Sequence, residues 1–129
     1  MADVNRGDRP LSPHLEVYNQ SYTGGLSILH RITGVGLSLA VILVVWWFLA
    51  LSTGAEYFAW VDGLITSWIG GLILIGSVFA LWYHFCNGLR HLYWDTGRGI
   101  DLEFAQKSAY AVIGGACLLT VITLIAAFS

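Results

Sequence analysis

Residues 32–55 read ITGVGLSLAVILVVWWFLALSTGA, a stretch without a single Asp, Glu, Lys or Arg. Two further stretches, 63–89 and 108–129, are also free of these four residue types. About 20 predominantly apolar residues are enough for an α-helix to cross the ~30 Å hydrocarbon core of a bilayer. A helix satisfies its own backbone hydrogen bonds there, which an open strand does not. The sequence therefore predicts three transmembrane helices.

The composition supports this fold class, an all-α membrane protein whose helices form an up-down bundle. Of the 129 residues, 57% are hydrophobic and 11% are charged, whereas about 25% of the residues in an average soluble domain are charged. The net charge of −2 and the lack of a basic run exclude a nucleic-acid surface. The two cysteines form no C-x-x-C pair, so neither a disulfide framework nor a zinc or iron–sulfur site is encoded.

Two parts of the chain are expected from these boundaries. Residues 1–24 are predicted to form a cytoplasmic N-terminal arm, and residues 25–129 a three-helix transmembrane domain. The predicted spans cover residues 27–52, 63–91 and 106–128.

The basic residues all lie on one side of this arrangement, before the first span or between the second and the third. They are Arg6, Arg9, Arg31, Arg90, Arg98 and Lys107. The other connection, residues 52–62, holds Glu56 and Asp62 but no Lys or Arg. By the positive-inside rule we expect a cytoplasmic N-terminus and a periplasmic C-terminus.

Aromatic residues gather near both ends of the spans, as in the aromatic belts of membrane proteins. Trp46, Trp47, Tyr57, Trp60 and Trp68 are predicted to mark the outer edge, and Tyr83, Tyr93 and Trp94 the inner edge.

A first polar cluster lies at the inner end of the first span. Ser27, His30, Arg31 and Gly34 take positions i, i+3, i+4 and i+7, which places them on one helical face. We expect this face to point into the bundle. The alternative is that Arg31 extends to lipid phosphates and His30 is merely interfacial.

A second cluster closes the second span, where His84, Asn87, Gly88 and His91 repeat the same spacing. His84 precedes Arg90 by six residues and therefore lies roughly 9 Å deeper in the membrane. Ionisable groups at that depth are rare and are usually functional. The alternative is that this histidine only forms a hydrogen bond with a neighbouring helix.

Haem ligation fits these residues, because a neutral imidazole nitrogen coordinates iron. Gly88, one turn beyond His84, would let the flat macrocycle lie against bare backbone. Four basic or imidazole side chains are predicted to meet the haem propionates at the water-facing edge: His30, Arg31, Arg90 and His91. No second histidine lies well inside a span, so we infer that the other axial ligand comes from another chain.

Three motifs carry a resemblance to a known family: RPL at 9–11, SxxHRxTG at 27–34 and HxxxGLRHLxWD at 84–95. In order and spacing they resemble the cytochrome b membrane-anchor subunits of succinate dehydrogenase, respiratory complex II, over essentially the whole chain. The resemblance implies that His84 ligates the iron of haem b, that Ser27 and Arg31 line a ubiquinone pocket, and that His30 and His91 contact the propionates or the pocket wall.

The resemblance also implies partners. These are a flavoprotein with FAD, an iron–sulfur subunit and a second membrane anchor that shares the haem, all in a bacterial inner membrane. The present chain has no G-x-G-x-x-G and no cysteine set for clusters, so no dicarboxylate chemistry and no catalytic residue are expected in it. Its expected part is to help pass electrons to ubiquinone, which links the tricarboxylic acid cycle to respiratory electron transport.

Three alternatives stay open at this point. The chain could be the anchor of a fumarate reductase or of another quinone-linked dehydrogenase, or a purely structural anchor whose polar faces only bind other subunits. A transporter is disfavoured, because three unrepeated spans offer no inverted symmetry.

Overall fold

The computed structural model describes residues 22–129, so the predicted arm and its arginines, Arg6 and Arg9, lie outside the described residues. Four helices follow one another: α1 (Tyr22–Thr53), α2 (Ala55–Ile65), α3 (Trp68–Asp95) and α4 (Leu102–Phe128). Three of them are long and apolar enough to cross a membrane, namely Gly24–Thr53 of α1, α3 and α4. The predicted fold class is confirmed, and the chain is a multi-pass membrane protein.

The up-down order is visible in contacts between opposite ends of successive spans. His30, near the start of α1, stacks on His84, near the end of α3. Likewise Arg90, late in α3, donates to Ser108, early in α4. Each long helix is therefore antiparallel to the next. The basic residues Arg31, Arg90, Arg98 and Lys107 share one end of the bundle, hereafter called the inner end.

The connection after α1 differs from the expectation, because residues 55–65 form the helix α2 where a plain connection was predicted. The indole of Trp47 on α1 donates a hydrogen bond of 2.9 Å to the Asp62 carboxylate on α2. Val61 is fully buried at the same place. These contacts hold α2 against the outer end of α1.

The third helix begins at Trp68, five residues after the predicted start of the second span at residue 63. Ser67 caps it, since its hydroxyl accepts a hydrogen bond from the amide of Gly70. A Cβ at Gly70 would collide with the Ile65 carbonyl, so only glycine permits the tight turn between α2 and α3.

Small residues line the buried face of α4, at spacings of three and four. They are Ala105, Ala109, Val112, Ala116 and Thr120. Together with Leu26 and Tyr83, part of this stripe forms the core of the bundle. Because its side chains are short, α4 lies close to α3, while large apolar residues such as Leu118 and Ile125 face outward.

Candidate functional site

The His84 imidazole bridges α3 and α1. Its Nδ1 lies 3.1 Å from the His30 carbonyl oxygen and 3.4 Å from Thr33 Oγ1. A carbonyl only accepts hydrogen bonds, so Nδ1 must carry the proton and donate it. Nε2 is then the nitrogen with the lone pair, and no described residue hydrogen-bonds it. Metal-binding histidines are commonly oriented in this way, with the second ring nitrogen donating to a carbonyl.

Thr33 supports the same arrangement. Its hydroxyl lies 2.9 Å from the carbonyl oxygens of Leu29 and of His30, to which it donates along its own helix. Its oxygen therefore presents a lone pair to His84 Nδ1, as a second and weaker acceptor. Thr33 is 8% exposed. Although Thr33 is part of the family motif, helical spacing alone did not predict this contact.

Three imidazoles gather at the inner ends of α1 and α3. The His30 ring stacks on the His84 ring with centroids 3.9 Å apart and planes 10° from parallel. The His91 ring lies 5.3 Å from His30, at 47°. His30 Nδ1 is buried and has no hydrogen-bond partner among the described residues. His30 and His91, both predicted to contact the propionates or the pocket wall, therefore lie close to each other and to His84.

Gly34 makes room for the stack. A Cβ at this position would lie 3.1 Å from His84 Cε1 and 3.6 Å from His84 Nδ1, the first of which is tighter than ordinary van der Waals contact. A Cβ at Gly88, by contrast, would meet nothing within 4 Å. The position one turn beyond His84 on α3 thus has open space around its backbone.

Arg90 does not lie at the water-facing edge, so that expectation is wrong. Its side chain turns toward α4 and is 6% exposed. Nε donates to Ser108 Oγ at 2.9 Å and a terminal nitrogen donates to the Ala105 carbonyl at 2.8 Å. The other terminal nitrogen lies 3.4 Å from Asn87 Oδ1, and the guanidinium carbon is 3.9 Å from the centre of the Trp94 ring.

Asn87 accompanies Arg90 rather than His84, because its fully buried side chain accepts from the guanidinium. Tyr83 also differs from its predicted place in the inner aromatic belt. Its ring is fully buried, and its hydroxyl donates to the Leu26 carbonyl at 2.8 Å. Sequence reasoning missed the role of this tyrosine, although its position next to His84 on a polar segment was a usable signal.

Ser27 and Arg31 lie on the first turns of α1, at the inner end of the bundle. Ser27 is half-buried, and Arg31 is exposed rather than turned into the bundle interior. No described residue hydrogen-bonds or pairs with the Arg31 guanidinium. The two side chains therefore offer a hydroxyl and a cation that no described residue pairs with, on the same segment of α1 as His30.

Comparison with known proteins gives one consistent result. The chain matches the model of the succinate dehydrogenase/fumarate reductase transmembrane subunit family over residues 5–123. It is 50% identical to the succinate dehydrogenase cytochrome b556 subunit of Paracoccus denitrificans, over 99% of this chain and 98% of that one. The corresponding subunit of Rickettsia conorii is 38% identical, over 88% and 89%. The mitochondrial cytochrome b560 subunit of Bos taurus is 34% identical, over 82% and 64%.

Proposed function

Because the chain belongs to the succinate dehydrogenase/fumarate reductase transmembrane subunit family, we propose that it is the cytochrome b anchor of a succinate:ubiquinone oxidoreductase. In this role it binds haem b through His84 and forms part of the ubiquinone site through Ser27 and Arg31. The observation that carries the proposal is the hydrogen bond of His84 Nδ1, which leaves Nε2 for a metal. The relatives' names, cytochrome b556 and b560, point to the same cofactor.

The residues present fit a haem. His84 supplies an oriented nitrogen donor, and the open backbone at Gly88 leaves space for a flat ring system beside it. His30 Nδ1 is a buried atom that still needs a partner, and a propionate oxygen would provide one. His91 and Arg31 are the further candidates for propionate or pocket contacts. When bound, haem b would supply one-electron redox chemistry at this end of the membrane.

The second axial ligand is proposed to come from the second membrane anchor. His30 stacks face to face on His84, with centroids 3.9 Å apart. Two imidazoles in direct face contact would not be placed to hold a single iron between them. Within the described part of the chain, His30 therefore serves as a support for His84, and a partner is required to complete the coordination.

Ser27 and Arg31 are suited to hold a quinone carbonyl. The Ser27 hydroxyl is able to donate a hydrogen bond to this carbonyl. The Arg31 guanidinium carries a positive charge that no described residue neutralises. As two electrons arrive from the iron–sulfur partner, negative charge develops on the quinone oxygens, and the nearby Arg31 cation stabilises it. Two protons from the same aqueous side complete the quinol. Dicarboxylate oxidation, FAD and the iron–sulfur clusters belong to the partner subunits.

The proposed location is a bacterial inner membrane, with the N-terminus cytoplasmic and the C-terminus periplasmic. The shared inner end of the described arginines and Lys107 supports this orientation, because basic residues are retained on the cytoplasmic side. The quinone site would then lie near the cytoplasmic face, where an iron–sulfur subunit without membrane spans is able to approach it.

The test is the substitution Arg31→Leu in the purified native complex. We expect succinate:ubiquinone activity to fall at least tenfold, while succinate oxidation by a soluble artificial acceptor persists. Arg98→Leu is the matched control, since Arg98 is a cation at the same end of the bundle. If both activities fall together in an assembled Arg31→Leu complex, or if only Arg98→Leu affects quinone reduction, the proposal is wrong.

A fumarate reductase anchor is the second candidate, because the matched family includes both enzymes. Comparing succinate oxidation with fumarate reduction in the same purified complex separates the two. A purely structural anchor would show neither a b-type spectrum nor a dependence of quinone reduction on Arg31.

A further inference from the structure

We propose that Tyr83 is a positioning residue of the quinone site: its hydroxyl fixes the turn of α1 that presents Ser27. The inference rests on the proposed role of Ser27 and Arg31 in binding ubiquinone. Tyr83 lies on α3, across the α1–α3 contact from Ser27. It would act on the quinone only through the backbone of α1.

The atom that Tyr83 binds lies directly before Ser27 in the chain. The tyrosine hydroxyl donates to the Leu26 carbonyl oxygen at 2.8 Å. That carbonyl is part of the peptide group joining Leu26 to Ser27. The hydrogen bond therefore holds the peptide plane from which the Ser27 side chain departs. Tyr83 is fully buried and Leu26 is 5% exposed, so the bond is shielded from water.

The next residue on α3 makes the equivalent contact one turn further along α1. His84 Nδ1 donates to the His30 carbonyl oxygen at 3.1 Å. That carbonyl is part of the peptide group joining His30 to Arg31. Two consecutive α3 side chains thus hold the peptide groups that immediately precede the two proposed quinone-binding residues.

The contact between Tyr83 and Leu26 bears directly on the placement of the Ser27 side chain. An interhelical hydrogen bond in apolar surroundings stabilises the contact between the two helices. A displacement of about 1 Å at a binding group is enough to cost a large factor in rate.

The test is Tyr83→Phe in the native complex, because phenylalanine keeps the buried ring and removes only the hydroxyl. We expect the KM for a soluble ubiquinone analogue to rise about three- to tenfold. The kcat with an artificial acceptor and the b-type spectrum should stay unchanged. A role in packing alone would lower the amount of assembled complex without this selective change in KM.

Thr123→Val is the matched control. Trp82, the neighbour of Tyr83, donates to Thr123 Oγ1 on α4 at 2.8 Å, so this substitution also removes one interhelical hydrogen bond of α3. It should leave the KM for the quinone unchanged. The inference is wrong if Tyr83→Phe leaves that KM within twofold of the wild-type value, or if Thr123→Val raises it equally.

Ser27→Ala separates this inference from the proposed function. If Ser27→Ala leaves the quinone KM unchanged, the quinone role of Ser27 fails. If Ser27→Ala raises it and Tyr83→Phe does not, only the inference about Tyr83 fails. If both raise it, the double variant should show less than the product of the two effects, because Tyr83 acts through Ser27.

Discussion

Helix α3 makes two polar contacts near its inner end, one with α1 around His84 and one with α4 around Arg90. Around Arg90, each guanidinium nitrogen has a partner: Ser108, Ala105 and Asn87 accept from it, and the cation lies over a tryptophan ring. Around His84, one ring nitrogen donates to the His30 carbonyl and the other has no partner among the described residues. Every nitrogen of the Arg90 guanidinium thus has a partner, although the Asn87 amide nitrogen beside it is buried without one among the described residues. One nitrogen of the His84 ring, by contrast, has no partner among these residues.

This difference distinguishes polar residues that stabilise the bundle from polar residues that bind a ligand. A buried polar group is costly unless its hydrogen bonds are made, so a complete set of partners is accounted for by stability alone. Stability does not account for the lone pair of His84 Nε2, which is oriented by the hydrogen bond of the other ring nitrogen. The same contrast distinguishes Arg90 from Arg31, which is exposed and has no partner among the described residues.

The largest effect is expected from His84→Ala, which tests whether Nε2 of His84 binds the haem iron. The substitution should abolish or alter the low-spin b-type absorption of the complex, because one axial ligand is removed. A reduced-minus-oxidised spectrum measures this. Phe85→Ala, at the exposed neighbouring residue, is the control. An unchanged spectrum in an assembled His84→Ala complex would refute the ligand assignment.

Arg90→Gln removes the fully partnered guanidinium and should lower the stability of the complex. Glutamine cannot reach Ser108, Ala105 and Trp94 together, so we expect a loss of about 2 kcal/mol in unfolding free energy. Unfolding of the solubilised complex in increasing mole fractions of dodecyl sulfate measures it, with Arg98→Gln as control. Loss of the b-type spectrum at unchanged stability would mean that the two contacts have been assigned the wrong way round.

Gly34→Ala sharpens the comparison by crowding the His84 ring without removing any polar group. The new Cβ would lie 3.1 Å from His84 Cε1, so the ring must shift by a few tenths of an ångström. We expect a modest displacement of the haem midpoint potential with little loss of haem. Gly36→Ala, where a Cβ meets nothing within 4 Å, is the control. Equal potentials in both variants would show that the ring has room to move.

The smallest effect is expected from Thr33→Val, which removes the weaker acceptor for His84 Nδ1 at 3.4 Å. Valine keeps the shape of the side chain, and the His30 carbonyl still accepts. We expect a cost of about 0.5–1 kcal/mol in stability and a potential shift smaller than that of Gly34→Ala. A redox titration compares them. A larger shift than in Gly34→Ala would make Thr33 the main acceptor.

The three spans were predictable because charge-free runs of more than 20 residues are typical of membrane helices. That His30 and Gly34 share one face of α1 was predictable as well, since spacings of three and four define a helical face. The predictions failed for Arg90 and Tyr83, whose side chains are buried. Periodicity indicates which residues share a face, but not which neighbouring helix that face meets. Arg90 lies about 120° around the helix from His84, toward a helix whose short side chains accommodate it.

The helix α2 was missed for a related reason. Eleven residues with two acidic side chains are too short to be recognised as a span, and the hydrogen bond between Trp47 and Asp62 holds them against α1. That contact joins residues on two different elements, and local sequence patterns do not report it.

The paired bonds from residues 83 and 84 to the carbonyls of residues 26 and 30 fix more than one turn of helix. The two acceptors are about 6 Å apart along α1, and their donors are neighbours in the chain, so the contact defines how far α3 is displaced along α1. Inserting one residue between 26 and 30 would rotate one acceptor by about 100° and break the match. Length variation during evolution is therefore expected in the connections between the helices, while the inner halves of α1 and α3 keep a constant register.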